Sequence, residues 1–211
     1  KSIHISTPNS RILNLDDGLV NKLNGLGHVE RVGKSYSYPG SVSYQKSESD
    51  SVVYAIDKSY QDLSTLSLST GRLLTNEDEA VVIVNSALLS TIGISDNKSA
   101  LGKQINVKIP IKGLPDGQKE LEKDLTIVGV IDSGSGGELF IPAGIIQAAG
   151  VKYYSQVKIV ADDTSNVPDL RKQIESLGYQ TDSPIDTLAQ INQIFRFFTL
   201  ILVGFGSIGM V

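Results

Sequence analysis

The sequence of 211 residues contains no cysteine, no tryptophan, one methionine and only two histidines. The lack of cysteine excludes disulfides, thiolate nucleophiles and cysteine-bound zinc. His4 and His28 each lack a second histidine at ligand spacing, so a histidine metal site is not predicted. No Ser-His-Asp or paired-carboxylate arrangement is present in the pattern either. We therefore predict no catalytic site, no metal and no cofactor.

The charge balance is mildly acidic, with 19 basic and 23 acidic residues and a net charge of −4. This balance gives no electrostatic reason to expect a nucleic-acid partner. Hydrophobic residues make up 40% of the chain, as in ordinary globular proteins. Because residue 1 is lysine, we expect the sequence to be a processed or excised part of a longer chain.

A strand–helix–strand pattern occurs twice, once near each end of the chain. Residues 1–7 and 155–161 alternate as strands do, and residues 14–27 and 165–178 have the apolar spacing of helices. The two helices align at one constant offset, which matches Leu19 with Leu170, Leu23 with Ile174, Leu26 with Leu177 and Gly27 with Gly178. The repeat predicts an α+β fold in which two β-α-β halves pair, since neither half can bury its helix alone.

The middle of the chain has a different composition, with short β-rich runs separated by glycine and proline. Residues 112–124 form a charged hairpin tip between two of these runs. We predict a split first subdomain (1–59 and 151–183), an inserted β-rich subdomain (60–150) and a C-terminal segment (184–211).

The C-terminal segment begins with a helix N-cap pattern at Ser183 and Pro184. An apolar stripe follows at Ile185, Leu188, Ile191 and Ile194 or Phe195, and no charge occurs after Arg196. At about 1.5 Å per residue, residues 197–211 reach roughly 22 Å, less than the roughly 30 Å of a bilayer core. We predict a stalk helix running into a truncated transmembrane helix. The alternative is a buried core or interface helix, which the three glycines among the last eight residues disfavour.

Three polar segments contain residue types that can bind ligands. Residues 132–142 are glycine-rich but lack the Lys-Ser/Thr of a nucleotide loop, so a flexible hairpin turn is predicted. Residues 162–169 lack the spacing of a calcium hand. Residues 76–80 carry three carboxylates with no base or nucleophile implied nearby, which predicts a solvated turn.

The segment "STGRLLTNEDEAVVIVNSALLSTIGI" and the runs "ALGKQINV", "LTIVGVI" and "LFIP" resemble, in that order, the MacB-like periplasmic or extracellular core domain of MacB/FtsX-type ABC transporter permeases. The positions that carry this resemblance, here called the motif positions, are Gly71, Arg72, Asn85, Leu101, Gly102, Lys103, Gly129 and Pro142.

The resemblance implies a porter-like subdomain with a β-rich insertion, placed between two transmembrane helices on the outer side of the cell membrane. It implies a non-catalytic domain that transmits motion from a cytoplasmic ABC ATPase, fused or separate, to export a substrate. The stalk positions would pack within the stalk and couple this domain to the membrane helices. They are Ile185, Leu188, Ile191 and Phe195. The implied partners are the bilayer, a second permease copy and, in a Gram-negative host, a periplasmic adaptor.

A second hypothesis is a membrane-anchored extracellular enzyme, or a ligand-binding or sensor module. It predicts a pocket with perturbed carboxylates around Asp162, Asp163 and Asp169.

Overall fold

The computed structural model describes residues 13–182 and the backbone of residues 197–201. The helices are α1 Asp17–Asn24, α2 Lys58–Leu63, α3 Ser86–Thr91, α4 Asn97–Ala100, α5 Ala143–Ala148 and α6 Val167–Glu175. The strands are β1 Val29–Tyr44, β2 Ser47–Ile56, β3 Leu68–Gly71, β4 Val81–Asn85, β5 Gln104–Pro110, β6 Glu120–Ile131, β7 Glu138–Pro142, β8 Gln156–Ala161, β9 Gln180–Asp182 and β10 Phe197–Ile201. The fold is mixed α+β with a sheet-dominated core, as predicted.

The strands form one hydrogen-bonded sheet in the order β2-β7-β4-β6-β5-β1-β8-β10-β9, and β3 pairs with β6. Because β1 also pairs with β2, six of these strands close a circuit. The other three strands extend from the first part of β1. The hairpin predicted between β5 and β6 is confirmed, although β6 already begins at Glu120.

Strand β1 belongs to both parts of the sheet. Its first residues, Val29–Ser35, pair with β8, whereas Ser41–Ser43 pair with β5. With 16 residues at about 3.3 Å each, β1 reaches roughly 50 Å. The division of the chain into subdomains stays a prediction, but one continuous strand connects the two ends of the sheet.

Helices α1 and α6 lie where the repeat predicted them. Asp16 accepts a hydrogen bond from the Leu19 amide and caps α1. The aligned residues Leu19, Leu23, Leu170 and Ile174 are all buried in one core cluster. The alignment does not extend to the last pairs, because Leu177 is 51% exposed and α1 ends at Asn24, ahead of Gly25 rather than at Gly27.

The helix predicted across residues 197–201 is wrong for this structure, which has strand β10 there. β10 pairs antiparallel with β8 on one side and β9 on the other. The run Phe-Phe-Thr-Leu-Ile is rich in aromatic and β-branched residues, and a short apolar run does not distinguish a buried strand from a helix. None of the helices in the described part of the chain is long and apolar enough to cross a bilayer. The predicted first strand (1–7), the stalk with its four positions (184–196) and residues 202–211 lie outside the described residues.

Candidate functional site

Several of the motif positions converge on the second half of β6. Gly71 of β3 lies opposite Gly129 in the register of the two strands. A Cβ atom on Gly71 would lie 2.3 Å from the Val128 carbonyl oxygen, and one on Gly129 would lie 2.4 Å from the Arg72 carbonyl oxygen. The same Cβ on Gly71 would lie 2.8 Å from Cδ2 of Leu101. The two backbones approach so closely that only glycine is accommodated on either side.

The turn Leu101–Lys103 binds the same strand. The Gly102 amide donates to the Ile127 carbonyl at 2.8 Å, and the Ile127 amide donates to the Lys103 carbonyl at 2.9 Å. The turn joins α4 to β5, and its Gly102 has φ +82°. The second group of motif positions therefore attaches α4 and β5 to β6 rather than lining a cleft.

Arg72 forms a two-pronged ion pair with Asp78. Its two terminal nitrogens lie 2.7 and 2.8 Å from the carboxylate oxygens, and the Thr75 amide donates to the same carboxylate at 2.8 Å. These bonds lower the pKa of Asp78 to about 2, the Arg72 guanidinium being the largest cause. The prediction of a merely solvated turn at residues 76–80 missed this pair. The available signal was an arginine six residues before Asp78, the central carboxylate of that turn.

The Arg72–Asp78 pair predicts a loss of stability in acid. A carboxyl group whose folded pKa is depressed stabilises the fold above its unfolded pKa, near 3.8, and this contribution is lost as pH falls toward 2. We expect Asp78→Asn to cost about 1–2 kcal/mol at pH 6, a figure reduced because Arg72 is 48% exposed. Urea unfolding at pH 6 and pH 2.5 would show the difference between wild type and variant shrinking in acid. A difference that stays constant would contradict the assignment. Arg72→Lys, which lacks the two-pronged geometry, should lose part of the same contribution.

Asn85 is fully buried, and both the nitrogen and the oxygen of its side-chain amide form hydrogen bonds. Its Nδ2 donates to the carbonyls of Ser133 and Gly136 at 2.8 and 2.7 Å. Its Oδ1 accepts from the amides of Leu88 and Glu138, both at 3.0 Å. One side chain thus caps α3, binds the loop 132–137 and aligns the start of β7.

The loop 132–137 is not the predicted hairpin turn. β4 lies between β6 and β7, so the loop crosses over a strand. Pro142 ends β7 opposite Ile56 of β2 and directly precedes α5. Like the other motif positions, Pro142 lies at a junction between elements.

The three carboxylates of the second hypothesis lie on the surface. Asp162 bonds Asn166 at 2.8 Å and His28 at 3.0 Å, and these contacts, Asn166 first, lower the pKa of Asp162. Asp163 caps the following turn through the Ser165 amide, and Asp169 lies in the first turn of α6. In the described part of the chain no three acidic or histidine side chains come together as a metal site.

Two clefts flank the start of α1. One of about 780 Å³ is lined by Asp16, Asp17, Lys34, Tyr36 and Tyr153, among others. Its charged groups already interact within the protein: Asp17 accepts from the Tyr154 hydroxyl at 2.6 Å and lies 3.8 Å from Nζ of Lys34. Burial raises the pKa of Tyr154, which keeps this hydroxyl a donor. The cleft presents a polar surface with a structural hydrogen-bond network.

Comparison with known proteins shows what the fold is similar to. Residues 2–177 match the family described as MacB-like periplasmic core domain. The extracellular domain of the noncanonic ABC-type transporter YknZ from Gram-positive bacteria is similar with a TM-score of 0.63 and 18% identity, over 87% of this chain and 88% of that one. The periplasmic region of MacB from Actinobacillus actinomycetemcomitans gives a TM-score of 0.59 and 19% identity, over 92% and 82%. No curated protein sequence matches the chain.

Proposed function

Because this chain belongs to the family of MacB-like periplasmic core domains, we propose that it transmits ATPase-driven motion in an ABC transporter permease to export or extrude a substrate. The domain lies on the outer side of the cell membrane and carries out no chemistry of its own. ATP is hydrolysed on a cytoplasmic subunit or domain, fused or separate.

The observation that carries this proposal is the use of the motif positions. Gly71, Gly129 and the Leu101–Lys103 turn attach β3, α4 and β5 to β6, and Asn85 connects α3, the loop 132–137 and β7. Side chains that bind a ligand would instead converge on a cleft. Contacts of this kind give a stiff unit, which suits a domain that passes on displacement.

Strand β1 supplies a path for that displacement. It is hydrogen-bonded to β8 through Val29–Ser35, to β2 through Ser35–Tyr44 and to β5 through Ser41–Ser43. A strand that has a pairing partner along its length resists displacement, because several backbone hydrogen bonds must break together. Motion at the α1/α6 end of the sheet would reach the six-stranded circuit through this strand.

The finer assignments belong to the same proposal. The porter-like subdomain comprises residues 1–59 and 151–183, and the β-rich subdomain comprises residues 60–150. Residues 184–196 form the stalk that links the domain to the membrane, and Ile185, Leu188, Ile191 and Phe195 pack in it. The full permease works as a dimer with its ATPase, and a periplasmic adaptor joins it in a Gram-negative host.

The stalk offers a direct test in the full-length permease, reconstituted with its ATPase in proteoliposomes. Ile191→Asp places a charge on the apolar stripe. This charge should uncouple ATP turnover from the motion of the outer domain. We expect transport to fall by about tenfold or more while the protein still inserts, since one buried charge costs several kcal/mol. Transport and stimulated ATPase activity are measured together.

The neighbouring Gln190 provides the control, because Gln190→Asp adds the same charge at a polar position of the sequence pattern. The proposal expects this variant to transport as wild type does. If Ile191→Asp also transports normally, the mechanical role of the stalk is wrong. Equal losses in both variants would point to general charge sensitivity and equally remove the support for a packed stripe.

A further inference from the structure

Helix α2 covers one face of the sheet where β1 pairs with β8. A Cβ atom on Gly33 would lie 2.6 Å from the Tyr60 amide nitrogen, so the backbone of α2 lies directly on β1. Lys158 of β8 is the register partner of Gly33, and opposed residues of an antiparallel pair share one face. The Lys158 side chain therefore extends alongside α2, away from the core that contains its neighbours Val157 and Ile159.

The Lys158 ammonium group is held by α2 and by the residue that ends this helix. Its Nζ lies 4.3 Å from the centroid of the Tyr60 ring and donates a hydrogen bond to Oγ of Ser64 at 3.2 Å. The Ser64 hydroxyl donates in turn to the Tyr60 carbonyl at 2.8 Å. A ring face and a hydroxyl stabilise an ammonium less than a carboxylate does. These contacts place the amine but leave its charge without a counterion.

No carboxylate pairs with Lys158 in the part of the chain that the structure describes. Asp62 of α2 is bound by Lys58 and lies 3.8 Å from a terminal nitrogen of Arg31. Arg31 occupies the same face of β1 as Gly33 but is itself a cation, and Thr199, the register partner of Lys158 in β10, carries no charge. Burial therefore acts on Lys158 without an opposing negative charge, and it lowers the pKa of this amine.

We propose that Lys158 is a modification site, at which its amine takes an acyl group from an activated ester. A partly buried lysine without an ion pair supplies the neutral, nucleophilic amine and remains open to a small reagent. The Nζ lone pair attacks the acyl carbon, the bond from that carbon to the ester oxygen breaks, and the alcohol or phenol leaves with the proton that the amine gives up. The amide product is neutral, so acylation removes the cation from the Tyr60 ring and weakens the contact of α2 with the sheet.

The full 211-residue chain tests this site without any transporter partner, so the result does not depend on the proposed function. The chain is treated with p-nitrophenyl acetate at pH 7.5, and acetylation of each lysine is followed over time by peptide mass spectrometry. Lys152, an exposed lysine six positions earlier, is the internal reference. We expect Lys158 to react about threefold faster than Lys152 or more. If Lys158 reacts no faster than Lys152, the proposal is overturned.

Two substitutions of Ser64 test whether the missing counterion is the cause. Ser64→Asp places a carboxylate beside Nζ, which favours the ammonium form and should slow acetylation of Lys158 about tenfold while Lys152 reacts as before. Ser64→Asn is the matched control, because it has nearly the same size and no charge, and it should keep the fast reaction. Equal rates at Lys158 in the two variants, whether fast or slow, would remove the basis of the proposal.

The wild-type chain provides a further measurement that requires no variant to fold. Because only the neutral amine reacts, the acetylation rate of Lys158 should rise with pH and level off around the pKa of the amine. The expected midpoint lies below 10.5, the ordinary pKa of a lysine side chain. A midpoint at or above this value would show that the amine is not activated, and the proposal would be wrong.

Discussion

Gly71→Ala is expected to lower the free energy of unfolding by about 3–4 kcal/mol. The new Cβ would lie 2.3 Å from the Val128 carbonyl oxygen, so β3 must move away from β6. Gly71 also has φ +82°, a conformation that alanine adopts only with strain. Urea unfolding followed by circular dichroism at pH 7 would measure the loss as a lower midpoint.

Gly102→Ala is the matched control for this variant. Gly102 has the same φ of +82°, but a Cβ there would meet no atom within 4 Å. Its cost should be the backbone strain alone, about 1–2 kcal/mol. The difference between the two variants isolates the close approach of β3 to β6. Equal midpoints for Gly71→Ala and Gly102→Ala would contradict the role given to that contact.

Local patterns in the sequence were sufficient to predict the helices α1 and α6. Leucines and isoleucines spaced three and four residues apart predicted which face of each helix is buried. These features depend on residues within one or two turns of each other, so they can be derived without knowing the rest of the fold. The predicted ends of the same helices were less accurate. Whether Leu177 is buried, and whether α1 extends to Gly27, depend on what packs nearby.

The strand at residues 197–201 could not be predicted in this way. Its hydrogen-bond partners are β8 and β9, which are distant in sequence, and the run itself suits a helix or a strand equally. The pairing partner decides between the two, and pairing is a property of the whole sheet. Contacts between strands that are distant in sequence therefore determine much of the pairing in a single large sheet such as this one.

The motif positions illustrate a different limit of prediction from sequence. The resemblance predicted which residues matter, but it gave no geometry for them. Only the structure places Gly71, Leu101 and Gly129 against one another, and only the structure pairs Arg72 with Asp78. The close approach of two backbones leaves only a glycine as its trace in the sequence, and glycines occur for many other reasons.

Asn85→Ala is expected to lower the free energy of unfolding by about 3–4 kcal/mol. The side chain is fully buried, and its loss leaves the Leu88 and Glu138 amides and the Ser133 and Gly136 carbonyls without their partner. The Leu88 bond is buried and the other three bonds are partly buried, so the freed backbone groups carry much of their desolvation cost. The cap of α3 is lost in the same step. Urea unfolding measures the total.

The loop 132–137 adds a local readout for the same variant, since two of the four bonds hold this loop. A peptide covering it should exchange faster in Asn85→Ala even under conditions where β5 stays protected. Asn106→Ala is the control, because its one side-chain bond, to Asp124, is solvent-exposed and its loss should cost about 0.5 kcal/mol or less. If Asn85→Ala costs no more than Asn106→Ala, the buried amide does not hold β4, α3 and β7 together. The junction must then be stabilised by apolar packing around Leu88 and Leu139, both fully buried beside it.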